Sequence, residues 1–228
     1  MTAIVVFANN TLADARKKRL LPQAQLHSNV RLVEALKKRS ILLAQSTGFP
    51  VFVIDAHQQR GNTFAERLLN AYADTFAKGF EKVVLIGTDH TSSTELLKDN
   101  CQLFDQSSAH AAFAPDMRGG SWFMAYSKEG FAMADFNAVP WHSSAVLAAL
   151  IAQVANSFVI DTPIPDLNES TDVQWVLRRW RESFFRHISK LLSGFFIYFI
   201  SNANVGLIII NLHACNKHFR GPPYQIEL

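Results

Sequence analysis

The chain has 228 residues, of which 49% are hydrophobic, and a formal net charge of +3. This length suffices for one α/β domain with an additional segment, and so mild a basic excess gives no indication of nucleic-acid binding. Two cysteines occur, Cys101 and Cys215, without metal-ligand spacing, and we expect free thiols in a reducing, cytoplasmic compartment.

The first ninety residues alternate between patterns of strand and helix. Continuous apolar runs predict buried strands of a parallel sheet at 3–8, 50–55 and 83–86, and the first run is not typical of a signal peptide. A polar loop is predicted over 9–14. Helical spacing of apolar residues predicts helices over 29–46 and 63–78, the second ended by Gly79. This alternation predicts a mostly parallel, doubly wound sheet with helices on both faces.

The second half contains shorter elements. Composition predicts a helix over 95–103 and strands over 111–114, 121–126 and 157–160. The Gly119-Gly120 pair between two of these strands indicates a close backbone approach, to a ligand or within a tight turn. A further helix is expected after Trp141, with Ser143 or Ser144 as its N-cap.

The C-terminal segment has a different character. A basic amphipathic helix is predicted over 172–192, with arginines interleaved with Trp and Phe. The apolar runs 195–200 and 205–210 are separated by Ser-Asn-Ala-Asn, which favours a hairpin; a membrane-associated segment is the alternative. An apolar hairpin needs a covering surface, so we expect a homodimer contact. The predicted domains are therefore 1–176 and 177–228.

Asp89 lies just beyond the most sharply defined strand, where Gly87-Thr88-Asp89 ends the apolar run. In open α/β sheets the ligand crevice lies at the carboxyl ends of the strands. We therefore expect Asp89 to meet a ligand or a metal ion. The alternative is a turn residue or a helix N-cap.

Several stretches resemble the bacterial glycosyltransferase-like proteins of GT-A fold known as DUF2064, which are related to nucleotidyltransferases. The opening strand and its loop (6–22) and the Gln-x-Gly region (59–67) are similar to the family pattern. The stretch 79–89 matches it nearly residue for residue. The segments 115–120, 139–141 and 166–172 follow in the family's order. The resemblance covers about residues 3–176.

The resemblance implies a GT-A-like three-layer sandwich and a nucleotide-diphosphate sugar as substrate. It implies a Mg²⁺ or Mn²⁺ ion held by Asp89 and Asp166, because these ions prefer oxygen ligands and share substrate phosphates. His90 or His142 could take a proton from an acceptor hydroxyl, although either could equally be a hydrogen-bonding loop histidine. The residues assigned to catalysis are therefore Asp89, His90 and His142. The residues expected to bind the nucleotide sugar are Phe7, Ala8, Lys17, Arg19, Gly61, Arg118, Gly119 and Gly120.

Lys17 and Arg19 are the expected phosphate clamp, with a solvated basic face as the alternative. The sequence also departs from the family pattern near them, since Lys18 replaces Thr. Arg118 replaces the Asp of Asp-Gly-Gly, and His90-Thr91 replaces Cys-Pro. The later acidic pair has one carboxylate fewer, because it consists of Asp166 and Asn168. The positive charge of Arg118 would repel a nearby metal ion. Alternatively, Arg118 could bind an anionic group of an altered substrate.

Three hypotheses follow. The first is a cytoplasmic, metal-dependent glycosyltransferase that uses a nucleotide-diphosphate sugar and an unknown acceptor. The second is a nucleotidyltransferase that acts on a phosphorylated small molecule, with the first loop binding a triphosphate. The third is a catalytically degenerate protein of the same fold that only binds or oligomerises.

Overall fold

A computed structural model describes residues 1–18, 20–21 and 26–179 of the chain, the last three by their backbone alone. The chain divides into two compact units, Met1–Val176 and Leu177–Leu228. The predicted hairpin over 195–210, the rest of the predicted helix beyond 179 and the expected dimer contact lie outside the described residues. These remain predictions, as does the division into two domains.

The sheet in the described part of the chain has six strands. They are β1 (Thr2–Phe7), β2 (Val51–Ile54), β3 (Lys82–Ile86), β4 (Ala111–Pro115), β5 (Ser121–Ser127) and β6 (Ser157–Val159). Their order is β2-β1-β3-β5-β4-β6, and β5 is antiparallel to both of its neighbours. The other pairings are parallel. Five strands therefore run in one direction, and their carboxyl ends lie at one edge of the sheet.

Helices cover both faces of this sheet. They are α1 (Thr11–Lys17), α2 (Leu26–Ser46), α3 (Phe64–Phe76), α4 (Thr94–Gln106), α5 (Lys128–Met133), α6 (Val146–Gln153) and α7 (Ser170–Arg179). Alternate residues of β1 point to opposite faces. Ile4 and Val6 pack with α2 and α4, whereas Val5 packs with α3 and α6. The predicted GT-A-like three-layer arrangement is confirmed.

Two local predictions are wrong. The predicted loop over 9–14 is too long, because residues 11–14 belong to α1, which Asn10 caps by accepting hydrogen bonds from the amides of Leu12 and Ala13. Neither predicted serine caps α6, which begins at Val146 and has no side-chain cap. Ser143 instead accepts a hydrogen bond from the amide of Ala145 within the preceding turn, at 3.2 Å. Among the described helices, none is both long and apolar enough to cross a bilayer.

Candidate active site at the carboxyl edge of the sheet

Three aspartates follow strands that point to the same edge of the sheet. Asp89 follows β3, Asp116 follows β4 and Asp166 follows β6. Lys18 reaches this edge from the end of α1, the helix that follows β1. The topology therefore assembles an acidic cluster with a lysine in it, from four separate loops.

Lys18 forms the central contact of the cluster. Its Nζ lies 2.6 Å from Oδ2 of Asp89 and 3.5 Å from Oδ2 of Asp14, and its side chain is only 10% exposed. Asn29 of α2 donates a hydrogen bond to the carbonyl of Lys18 at 2.8 Å, which fixes the backbone there. Burial alone lowers the pKa of Lys18, but the charges of Asp89 and Asp14 outweigh it, so the pKa is raised. Lys18 is therefore held as an ammonium ion.

A glycine at position 87 allows the Asp89 carboxylate to fold back onto the chain. A Cβ on Gly87 would lie 2.8 Å from Oδ1 of Asp89, closer than real Cβ contacts. Burial raises the pKa of Asp89, but the Lys18 charge and its hydrogen bond prevail, and the pKa is lowered. Oδ2 of Asp89 thus contacts Lys18, while Oδ1 lies beside the space that a side chain at position 87 would fill.

Backbone pairing brings Asp166 beside this site. The amide of Leu167 donates to the carbonyl of Asp89 at 2.9 Å, and His90 and Asp166 form an isolated antiparallel bridge. The hydroxyl of Thr91 donates to the carbonyl of Pro165 at 2.9 Å. The loop after β3 and the segment after β6 therefore hold each other in register.

Asp166 is the electrostatically unfavourable member of the cluster. Burial raises its pKa well above the usual range, and the charges of Asp89 and Asp116 raise it further, against the opposing effects of Lys18 and Arg118. Its Oδ1 is buried without a hydrogen-bond partner within the part of the chain that the structure describes. Asp166 borders a pocket of about 200 Å³. The pocket is lined by Met117, Arg118, Pro165, Asp166, Thr171, Asp172 and Trp175.

The turn between β4 and β5 presents Arg118 to this pocket. Oδ1 of Asp116 accepts hydrogen bonds from the amides of Arg118 and Gly120, at 2.6 and 2.8 Å. The Arg118 guanidinium forms an ion pair with Asp172 at 2.6 Å, and its side chain is 47% exposed. Gly119 has φ of 85°, and a Cβ there would collide with the carbonyl of Ser144. This turn is therefore built for a close backbone approach within the protein.

The two predicted histidine bases lie in different surroundings. His90 is 1% exposed, lies 2.7 Å from the hydroxyl of Ser92 and stacks on Trp122 with ring centroids 5.5 Å apart. Burial, and then the charge of Arg39, lower the pKa of His90 to about 3. His142 is exposed, has φ of 70° and lies 5.7 Å from the ring of Phe64. An incoming hydroxyl could therefore reach His142 far more readily than His90.

Three other predicted nucleotide contacts lie at the end of β1 and in the loop before α3, namely Phe7, Ala8 and Gly61. Phe7 is buried against Phe64, with ring centroids 6.2 Å apart. The carbonyl of Ala8 accepts a hydrogen bond from the side chain of Gln59 at 2.9 Å. Gly61 has φ of 123° and packs against Glu66 at the start of α3.

The phosphate clamp predicted at Lys17 and Arg19 remains a prediction. Lys17 is exposed and Arg19 lies outside the described residues, while the lysine that contacts Asp89 is Lys18. No site role was predicted for Lys18, Asp14 or Asp172. One sequence signal could have found Lys18, namely its i,i+4 relation to Asp14, which is typical of a helical ion pair.

Comparison with known proteins agrees with the resemblance seen in the sequence. The family described as "Uncharacterized protein conserved in bacteria (DUF2064)" matches residues 52–143. No curated protein matches the chain.

A solved structure shares the fold. A Desulfovibrio desulfuricans G20 protein described as a "putative nucleotide-diphospho-sugar transferase" is 15% identical, with a TM-score of 0.67, covering 85% of this chain and 97% of that one. A cytidylyltransferase from Leptospira borgpetersenii is 12% identical with a TM-score of 0.43, covering 85% and 94% of the two chains. The DUF2064 resemblance is therefore confirmed over residues 52–143, in a chain of GT-A-like fold.

Proposed function

We propose that this protein is a transferase that uses a nucleotide-diphosphate sugar, a glycosyltransferase. The observation that carries the proposal is the Lys18–Asp89 ion pair at the carboxyl edge of β1 and β3, where ligands bind in open α/β sheets. The fold shared with the Desulfovibrio protein supports it, since that protein is described as a "putative nucleotide-diphospho-sugar transferase".

The reaction follows from the needs of a diphosphate leaving group. The bond between the anomeric carbon and the diphosphate oxygen breaks, and the electron pair stays on the diphosphate. A positive group beside that oxygen stabilises the developing charge, which is the role we assign to Lys18. The acceptor oxygen bonds to the anomeric carbon and loses its proton to a base. Of the two predicted bases, the exposed His142 suits this step better than the buried His90.

The sequence resemblance implied Mg²⁺ or Mn²⁺ on Asp89 and Asp166, and the residues as arranged do not fit such an ion. Oδ2 of Asp89 already contacts the Lys18 ammonium at 2.6 Å. Among the described residues, no three His, Cys, Asp or Glu side chains converge on a metal-sized space. The unpartnered Oδ1 of Asp166 is the one feature that favours a cation. These contacts argue against metal dependence, which the following screen tests with EDTA and with Mn²⁺.

The test is a thermal-shift screen of the full chain with UDP, CDP, GDP, ADP and dTDP, each with EDTA or with Mn²⁺. Binding to the native state raises its stability, and a ligand at about 100 times its Kd should raise Tm by about 5–10 °C. The proposal predicts such a shift for at least one diphosphate. Matching nucleoside triphosphates form a second set, and a shift with these alone would favour the nucleotidyltransferase hypothesis. If no nucleotide changes Tm, the glycosyltransferase and nucleotidyltransferase hypotheses are both contradicted. The binding-only hypothesis then remains.

Two further parts of the proposal concern the setting of the enzyme. We propose a homodimer formed through the C-terminal segment, because its apolar runs need a cover. We also propose a cytoplasmic location, which suits the free thiol of the buried Cys101. Light scattering of the full chain and of a chain ending at Leu192 tests the dimer, and an unchanged mass per particle after truncation would exclude it.

A further inference from the structure

The Lys18 side chain occupies the position where a metal ion would bind to Asp89. Mg²⁺ binds carboxylate oxygens at about 2.0–2.1 Å, so an ion on Oδ2 of Asp89 would lie within about 5 Å of the ammonium nitrogen. The two cations would then share one oxygen and repel each other. The second oxygen, Oδ1, lies 2.8 Å from the point where a Cβ at position 87 would be.

Lys18 is also built into the protein as a fixed charge. Its side chain is 10% exposed, two carboxylates lie within 3.5 Å of its Nζ, and Asn29 holds its backbone carbonyl. An ammonium group has three N–H donors. Asp89 accepts one of them at 2.6 Å, while Asp14 lies at the looser distance of 3.5 Å. An N–H of Lys18 therefore remains that could donate a hydrogen bond to a phosphate oxygen.

A second positive group faces the same cluster from the opposite loop. The Arg118 guanidinium is half exposed at the rim of the pocket that Asp166 borders. Five carboxylates surround these two cations, from Asp14, Asp89, Asp116, Asp166 and Asp172. Because the carboxylates outnumber the cations, a diphosphate would have to bind with its oxygens directed at Lys18 and Arg118.

We propose that the Lys18 ammonium is the resident cation of this site and takes the place of a divalent metal in binding the diphosphate. This inference rests on the proposed function for the identity of the ligand. The claim that Lys18 excludes a metal from Asp89 does not depend on it, and is tested separately.

The first experiment titrates the full-length protein with Mn²⁺ alone and measures free Mn²⁺ by electron paramagnetic resonance. Wild type should bind no stoichiometric Mn²⁺. Lys18→Met should bind Mn²⁺ at least about tenfold more tightly than wild type, because the Lys18 ammonium no longer repels the ion. Lys128→Met is the matched control. Lys128 forms a 2.8 Å ion pair with Glu81, which precedes β3 at the opposite edge of the sheet. The control should behave as wild type.

One equivalent of Mn²⁺ bound by wild type and lost in Asp89→Asn would overturn the inference. So would a folded Lys18→Met protein whose Mn²⁺ affinity is unchanged. If Lys18→Met does not fold, Lys18→Gln and the wild-type titration still decide the question.

The second experiment uses whichever nucleoside diphosphate stabilises wild type. Its Tm shift should be the same in EDTA and in Mn²⁺, and should be lost in Lys18→Met but kept in Lys128→Met. A shift that disappears in EDTA would contradict the inference while sustaining the proposed function. If no nucleotide binds wild type at all, the proposed function fails, and the Mn²⁺ titration alone decides whether Lys18 excludes the metal.

Discussion

The buried His90 should make the stability of this protein sensitive to mild acid. Its ring is 1% exposed, and Nε2 has no hydrogen-bond partner among the described residues. The pKa of His90 is lowered from 6.5 to about 3 in the folded chain. The unfolded chain therefore takes up a proton below pH 6.5 that the native state refuses, and the free energy of unfolding falls as the pH falls from 6.5 towards 3.

The magnitude follows from the pKa difference. Each pH unit between the two pKa values costs about 1.4 kcal/mol, so acidification from pH 6.5 to 4.5 should remove about 2–3 kcal/mol through His90 alone. Urea unfolding at both pH values measures this loss in wild type, His90→Gln and His142→Gln.

The exposed His142 serves as the matched histidine control. Wild type and His142→Gln should lose about 2–3 kcal/mol more than His90→Gln over this interval. Other titrating groups are shared, so they cancel in the difference between variants. An equal loss in His90→Gln and wild type would refute the reasoning, because it would mean that His90 is accessible and titrates normally in the native state.

Two further predictions concern the acidic cluster. Asp166→Asn should raise the free energy of unfolding at neutral pH by about 1–3 kcal/mol, because its pKa is raised in the folded chain and its ionisation destabilises the native state. This gain should shrink as the pH falls towards 4; urea unfolding at pH 4 and 7 measures it, and a gain that grows in acid would contradict the assignment. Gly87→Ala should cost about 1–2 kcal/mol, since the added Cβ would meet Oδ1 of Asp89 at 2.8 Å; an alanine variant as stable as wild type, with unchanged diphosphate binding, would show that the Asp89 position is not fixed by this contact.

The strands were the most predictable part of the fold. Continuous apolar runs bury both faces of a strand, and all six predicted strands are present, with no end displaced by more than one residue. The short helix α1 was missed because it has only seven residues, too few for a helical period to be visible. Its boundary depends on the Asn10 cap, which is a local hydrogen bond rather than a pattern.

The site was harder to predict because neighbouring residues in a chain can point in opposite directions. Lys17 and Lys18 are adjacent, yet one is exposed and the other is paired with Asp89. Asp89 lies in the bend that follows β3, and His90 begins an isolated bridge with Asp166. Asp89 meets Lys18, while His90 stacks on Trp122 in the core.

Asp166 illustrates what the sequence could predict about the site. The resemblance assigned Asp166 to the same site as Asp89, and the two carboxylates do interact electrostatically. Whether the two carboxylates share a metal ion depends on Lys18, whose positive charge acts on both of them. The sequence identified Lys18 only as a departure from the family pattern.

The central claim is that a diphosphate binds at the Lys18–Asp89 pair without a metal ion. A crystal structure of the full chain, soaked in EDTA with the nucleotide-diphosphate sugar that stabilises it best, tests this most directly. We predict a phosphate oxygen about 3 Å from Nζ of Lys18. A diphosphate bound elsewhere, or bound only when Mn²⁺ is added and then coordinated by Asp89, would contradict the account.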